Sequence, residues 1–100
     1  GVIKRIKKVY ITYRTTATGT DCVKYYIDGN STTSASDASV VCGSLAATAN
    51  SGLDWDVAVC STNLPVNCQS FTLFIDHTAS GKLEIKDVSI EYRTLHKKVS

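Results

Sequence analysis

No apolar run in the sequence approaches the roughly 20 residues a helix needs to cross a bilayer, and the first residues lack the apolar segment and cleavage site of a signal peptide. No transmembrane or targeting segment is expected, although a start at Gly1 rather than Met leaves room for a longer precursor. Proline occurs once and glycine six times, which excludes collagen-like and low-complexity chains. There is no C-x-x-C pair. The only histidines, His77 and His96, stand 19 positions apart, so the ligand spacing of a zinc site is missing. Neither a G-x-S-x-G nor a Cys-Gly-x-Cys context occurs, and the many Ser and Asp residues cluster in turn-like segments where backbone hydrogen bonding explains them. Catalysis needs a nucleophile set against a base and an orienting group, and no such set is legible. No enzymatic activity, cofactor or metal is therefore expected.

What the sequence does contain is β-branched and aromatic residues recurring at a spacing of two, the signature of strands. Its 100 residues, 43% hydrophobic and 20% charged, suit one globular domain over 1–100 with one modest core. Val9, Ile11 and Tyr13 share one face of a first strand, and Tyr10, Thr12 and Arg14 the other. Ile3 and Ile6 lie out of phase, which predicts a late start or a bulge. Val23, Tyr25 and Ile27 alternate in a second strand, followed by a turn at Asp28-Gly29-Asn30-Ser31 and a Ser, Thr and Ala-rich loop or weak edge strand to Ala38. A short strand is expected around Val40 and Cys42, and Ala46 to Gly52 reads as a small-residue loop. Trp55, Val57 and Val59 are expected to face the core, with Asp56, Ala58 and Cys60 opposite. Ser61 to Gln69 reads as an irregular crossing tethered by Leu64 and Val66.

Phe71, Leu73 and Ile75 form the clearest alternating strand, and Ala79-Ser80-Gly81 turns the chain. Leu83 and Ile85 then share a face, while Val88, Ile90 and Tyr92 continue on the opposite parity. A bulge near Lys86-Asp87 would bring both sets to the core. Six or seven strands joined by frequent turns point to an all-β, two-sheet antiparallel sandwich of jelly-roll-like type. Val9–Thr15 and Val88–Thr94 match at five of seven positions. Such shared demands are those of neighbouring strands, so the first and last strands are expected side by side.

Charge is partitioned along the chain. Residues 1–14 carry Lys4, Arg5, Lys7, Lys8 and Arg14 and no acid; residues 15–81 carry Lys24 against six aspartates; residues 82–100 are basic again, with Arg93, Lys97 and Lys98 in or near a basic tail over 94–100. If the termini are neighbours, Lys4, Arg5, Lys7, Lys8, Arg14, Arg93, Lys97 and Lys98 form one basic edge, a candidate interface with further copies or an acidic partner. The alternative is that these lysines keep an edge strand soluble and unpaired. Nucleic acid is disfavoured, because the pI is only about 8.4 and the middle of the chain is acidic. Cys22, Cys42, Cys60 and Cys68 are candidate disulfide partners with three connectivities open, and reduced core thiols are the alternative. Asp54 and Asp56 lack the order of a calcium loop and read as a solvent-facing strand side. Asn30-Ser31-Thr32 is formally a glycosylation acceptor.

The segments Ser70-Phe71-Thr72-Leu73-Phe74-Ile75 and Gly81-Lys82-Leu83-Glu84-Ile85-Lys86-Asp87-Val88-Ser89-Ile90-Glu91-Tyr92-Arg93 resemble the closing strands of β-sandwich domains in tailed-bacteriophage virion proteins. Ile6–Tyr13 and Val23–Gly29 are similar to the opening of the same domains. The four cysteines depart from that pattern. The resemblance implies a non-catalytic tail, neck or capsid-surface subunit in an extracellular particle, forming homo-oligomers and packing against other virion subunits. Two alternatives are a carbohydrate-binding sandwich, with Trp55 or exposed tyrosines stacking on a glycan, and a secreted disulfide-stabilised domain glycosylated at Asn30.

Overall fold

A computed structural model describes residues 3–16, 21–27, 39–77 and 81–95. The expected turn at Asp28–Ser31, the loop to Ala38, Asn30, the Ala79-Ser80 part of the last turn, and His96, Lys97 and Lys98 lie outside the described residues. Among the described residues seven strands, β1 (Ile3–Thr15), β2 (Cys22–Ile27), β3 (Ser39–Cys42), β4 (Asp56–Cys60), β5 (Val66–Cys68), β6 (Phe71–Asp76) and β7 (Leu83–Leu95), build two antiparallel sheets. Among the described residues no helix is long and apolar enough to cross a membrane.

In the first sheet β1 is central. β7 pairs with it along one edge from Ile3↔Leu95 to Thr15↔Leu83, while β4 and β5 share the other edge, opposite Val9–Tyr13 and Lys4–Ile6 respectively. The second sheet has the order β3-β2-β6. The terminal strands are thus paired, as their similar sequences require, and the fold is a two-sheet antiparallel sandwich. Val9, Ile11 and Tyr13 from β1 meet Val23 and Tyr25 from β2, with Val41, Leu45 and Cys60 completing one buried cluster. Tyr25 stacks on Phe71 with ring centroids 5.0 Å apart, and its hydroxyl donates to the Asn63 carbonyl at 2.8 Å.

Two bulges in the β1–β7 ladder keep its apolar residues in phase. The register slips between Ile6 and Lys8, leaving Lys7 as the extra residue, so that Ile6 is buried on the same face as Val9. It slips again between Thr12 and Tyr13, where Lys86 of β7 is the extra residue, which returns Ile85 and Val88 to one face. The crossing from Ser61 to Gln69 contains β5, a three-residue strand missed in the sequence because nothing so short alternates detectably.

The small-residue loop expected at Ala46–Gly52 ends in the single turn α1 (Ala49–Gly52). Asn50, Ser51 and Gly52 have φ of 58°, 55° and 81°, so the turn is left-handed. It docks on the end of β1, where the Thr48 and Thr15 backbones and the Thr48 hydroxyl exchange hydrogen bonds at 3.1–3.4 Å.

One expected core assignment is overturned. Val57 and Val59 point outward and are more than half exposed, and Trp55 is 39% exposed. The pairing with β1 decides this: Ala58 lies opposite Ile11 and Cys60 opposite the buried Val9, so the alternate residues Ala58 and Cys60 take the inner face.

Candidate functional site

The inner face of β7 carries Leu83, Ile85, Val88, Ile90 and Tyr92, opposite Thr15, Tyr13, Ile11, Val9 and Ile6 of β1. The β1 partners are buried, yet Ile85, Val88 and Ile90 are more than one third exposed and Tyr92 is 54% exposed. The bulge at Lys86 therefore restores the phase of this row without bringing it into the core. Length explains part of the exposure. At about 3.4 Å per residue a 13-residue strand is roughly 44 Å long, more than twice the length of a six-residue strand such as β2 or β6. The second sheet cannot cover the whole β1–β7 ribbon. Among the described residues no strand pairs with the far edge of β7. A long apolar edge strand without proline, whose outward-pointing backbone groups meet no strand among the described residues, is a template for adding another strand.

The outer side of the ribbon is charged. Arg14 pairs with Glu84, and Lys82 reaches the same carboxylate at 2.7 Å. The hydrogen bonds from Lys82 and Arg14 hold the Glu84 carboxyl below the usual carboxylate range. The Trp55 ring lies beneath Arg14, 4.5 Å from the guanidinium carbon, and 5.5 Å from the Lys86 ammonium. A shallow cleft of about 120 Å³ opens beside Arg14 and Glu84, floored by Gly52 and Leu53.

Of the residues expected to form one basic edge, the described ones do not all lie along a single edge. β1 is an interior strand, so Lys4, Arg5, Lys7, Lys8 and Arg14 lie within the sheet. Arg5 faces Arg93 and Lys4 faces Thr94 at one end of the ribbon, Lys8 faces Glu91, and Arg14 is paired with Glu84 at the other end. The tyrosines divide as well: Tyr13 is buried, Tyr10 is half-buried on the outer face, and Tyr92 is exposed on the inner one.

Of the four cysteines, the structure brings Cys42 and Cys60 together. Each ends its strand, β3 and β4, and the Cys60 thiol donates a hydrogen bond to the Cys42 sulfur across the two sheets. The Thr62 amide donates to the Val41 carbonyl at 3.1 Å alongside. Cys60's hydrogen bond lowers the Cys42 thiol to about 7, while that bond and burial push the Cys60 thiol up. Cys22 lies in the second sheet opposite Asp76, and Cys68 ends β5 in the first, opposite Lys4.

Sequence reasoning missed one pair entirely. Asp21 is fully buried, and its carboxylate meets His77 Nδ1 at 2.8 Å, fastening the start of β2 to the end of β6. Its only signal was an aspartate just before an apolar strand. Among the described residues no group of three potential metal ligands occurs. Comparison with known protein families, curated proteins and solved structures finds no match.

Proposed function

We propose that the domain is a non-enzymatic structural and assembly subunit of a virus particle, a tail, neck or capsid-surface component held in place by subunit-to-subunit contacts. The observation that carries the reading is β7, a 13-residue edge strand with an exposed apolar row and an unpaired far edge among the described residues. Such a surface is a liability for an isolated domain and an asset for one whose neighbours are always present. The likeness of the closing strands to those of tailed-phage virion domains supplies the setting. Mass spectrometry of purified particles from the source of this chain tests it. Peptides of the chain are expected in multiple copies per particle, and their absence overturns the reading.

The carbohydrate-binding alternative draws on the partial exposure of Trp55. Arg14 and Lys86 lie over that ring, so a sugar stacking on that side would compete with two cations. A glycan array is expected to give no hit that depends on Trp55.

A further inference from the structure

We propose that two copies of this chain pair antiparallel along the far edges of β7, about a two-fold axis at Ile90, so that Asp87 of each copy faces Arg93 of the other. The inference rests on the assembly reading above and names the partner as a second copy.

The sequence of β7 selects the register. Facing residues of an antiparallel pair point to the same side, so inner-row residues must face inner-row residues. The inner row beyond the Lys86 bulge is Val88, Ile90, Tyr92 and Thr94; the outer row is Asp87, Ser89, Glu91 and Arg93. An axis at Ser89 sets Asp87 against Glu91 twice, and an axis at Glu91 sets that carboxylate against itself. An axis at Val88 brings the Lys86 bulge of both copies into the ladder after three pairs. An axis at Tyr92 faces Glu91 with Arg93 but sets Ile90 against Thr94, wasting the apolar row. Only the axis at Ile90 satisfies both rows. Ile90 meets Ile90, Val88 meets Tyr92 twice, Ser89 meets Glu91, and Asp87 meets Arg93 twice.

The charges on a single chain point the same way. Within its own chain Arg93 faces Arg5, a like charge, and Asp87 faces the neutral Thr12. Neither Asp87 nor Arg93 takes part in an ion pair among the described residues. The second copy supplies each with its opposite. The pairing also makes one continuous sheet from two, satisfies the edge backbone groups over Asp87–Arg93, and sets the exposed apolar rows side by side.

A charge-reversal cycle read by analytical ultracentrifugation of the full chain tests this. The native chain is expected to dimerise. Asp87→Arg and Arg93→Asp, each creating two like-charge contacts per dimer, are expected to raise the dissociation constant about tenfold or more. The double variant Asp87→Arg/Arg93→Asp is expected to return to within about threefold of the native value. Both positions lie on exposed strand surface, and circular dichroism checks that each variant is folded. Single variants that weaken the dimer without rescue in the double overturn the register and leave the assembly reading standing. A native chain that stays monomeric, or forms open-ended aggregates, overturns the self-pairing itself. The assembly reading is then judged separately by the particle composition.

Discussion

Gly52 ends the left-handed turn α1 at φ 81°, and a Cβ added there would lie 2.6 Å from the Thr16 methyl and 2.9 Å from the Thr15 carbonyl oxygen. The methyl could swing away, but the carbonyl belongs to the paired end of β1 and cannot. Gly52→Ala is therefore expected to destabilise the domain by about 1–3 kcal/mol, measured by denaturant unfolding. The Cys42–Cys60 pair makes a different prediction. Because the thiol of Cys42 is lowered to about 7, its thiolate fraction rises as pH rises through neutrality, below the range of an ordinary cysteine. Burial and the hydrogen bond to Cys42 keep Cys60 protonated. Iodoacetamide labelling of the folded chain is expected to accelerate between pH 6 and 8 at Cys42 with Cys60 unlabelled, read by peptide mass spectrometry. Oxidised glutathione, taking the two electrons and two protons of both thiols, is expected to join these two cysteines to each other. None of the three connectivities could be preferred from spacing, because the contact depends on how two sheets are stacked.

The strands were legible wherever alternation ran for five residues or more. Both bulges of the β1–β7 ladder were visible as breaks in phase, at Ile6 and near Lys86, because a two-residue period leaves an apolar residue stranded when one position is inserted. Alternation cannot say which face is covered. In and just before β4 the larger residues Trp55, Val57 and Val59 suggested the core side, but β1 presents Val9 and Ile11 opposite Cys60 and Ala58, and the small side chains are the ones that fit between the sheets. The same ambiguity hid the state of β7, whose apolar row is in phase with the core face yet extends where the second sheet does not cover it. That Lys4, Arg5, Lys7, Lys8 and Arg14 lie on an interior strand was hidden for a related reason: neighbouring termini do not reveal which of the two strands is central. These assignments separate two substitutions. Val59→Thr is expected to change stability by no more than about 0.5 kcal/mol, whereas Ile11→Ala, at a fully buried position, is expected to cost about 2–5 kcal/mol. Chemical denaturation of the pair gives both values under one set of conditions.

At the scale of the molecule, the sandwich is closed on one side and open on the other. On the β3–β4 side the sheets are fastened by the Cys42–Cys60 contact and the Thr62–Val41 hydrogen bond. Opposite, among the described residues, each sheet ends in an edge strand, β6 in one and β7 in the other, and the apolar rows of both are incompletely buried. With extents of 57 × 26 × 18 Å the domain is elongated along the β1–β7 ribbon, so a partner engaging β7 would have a long, narrow surface to cover. That asymmetry is what an assembly subunit uses, one side fixed and one side left for a neighbour. Hydrogen–deuterium exchange of the full chain, compared between dilute and self-associated samples, tests the claim most directly. The alternate amides within Asp87–Arg93 that point away from β1 are expected to exchange quickly in dilute solution and become protected on association. Association with unchanged exchange in β7, and new protection elsewhere, would contradict it.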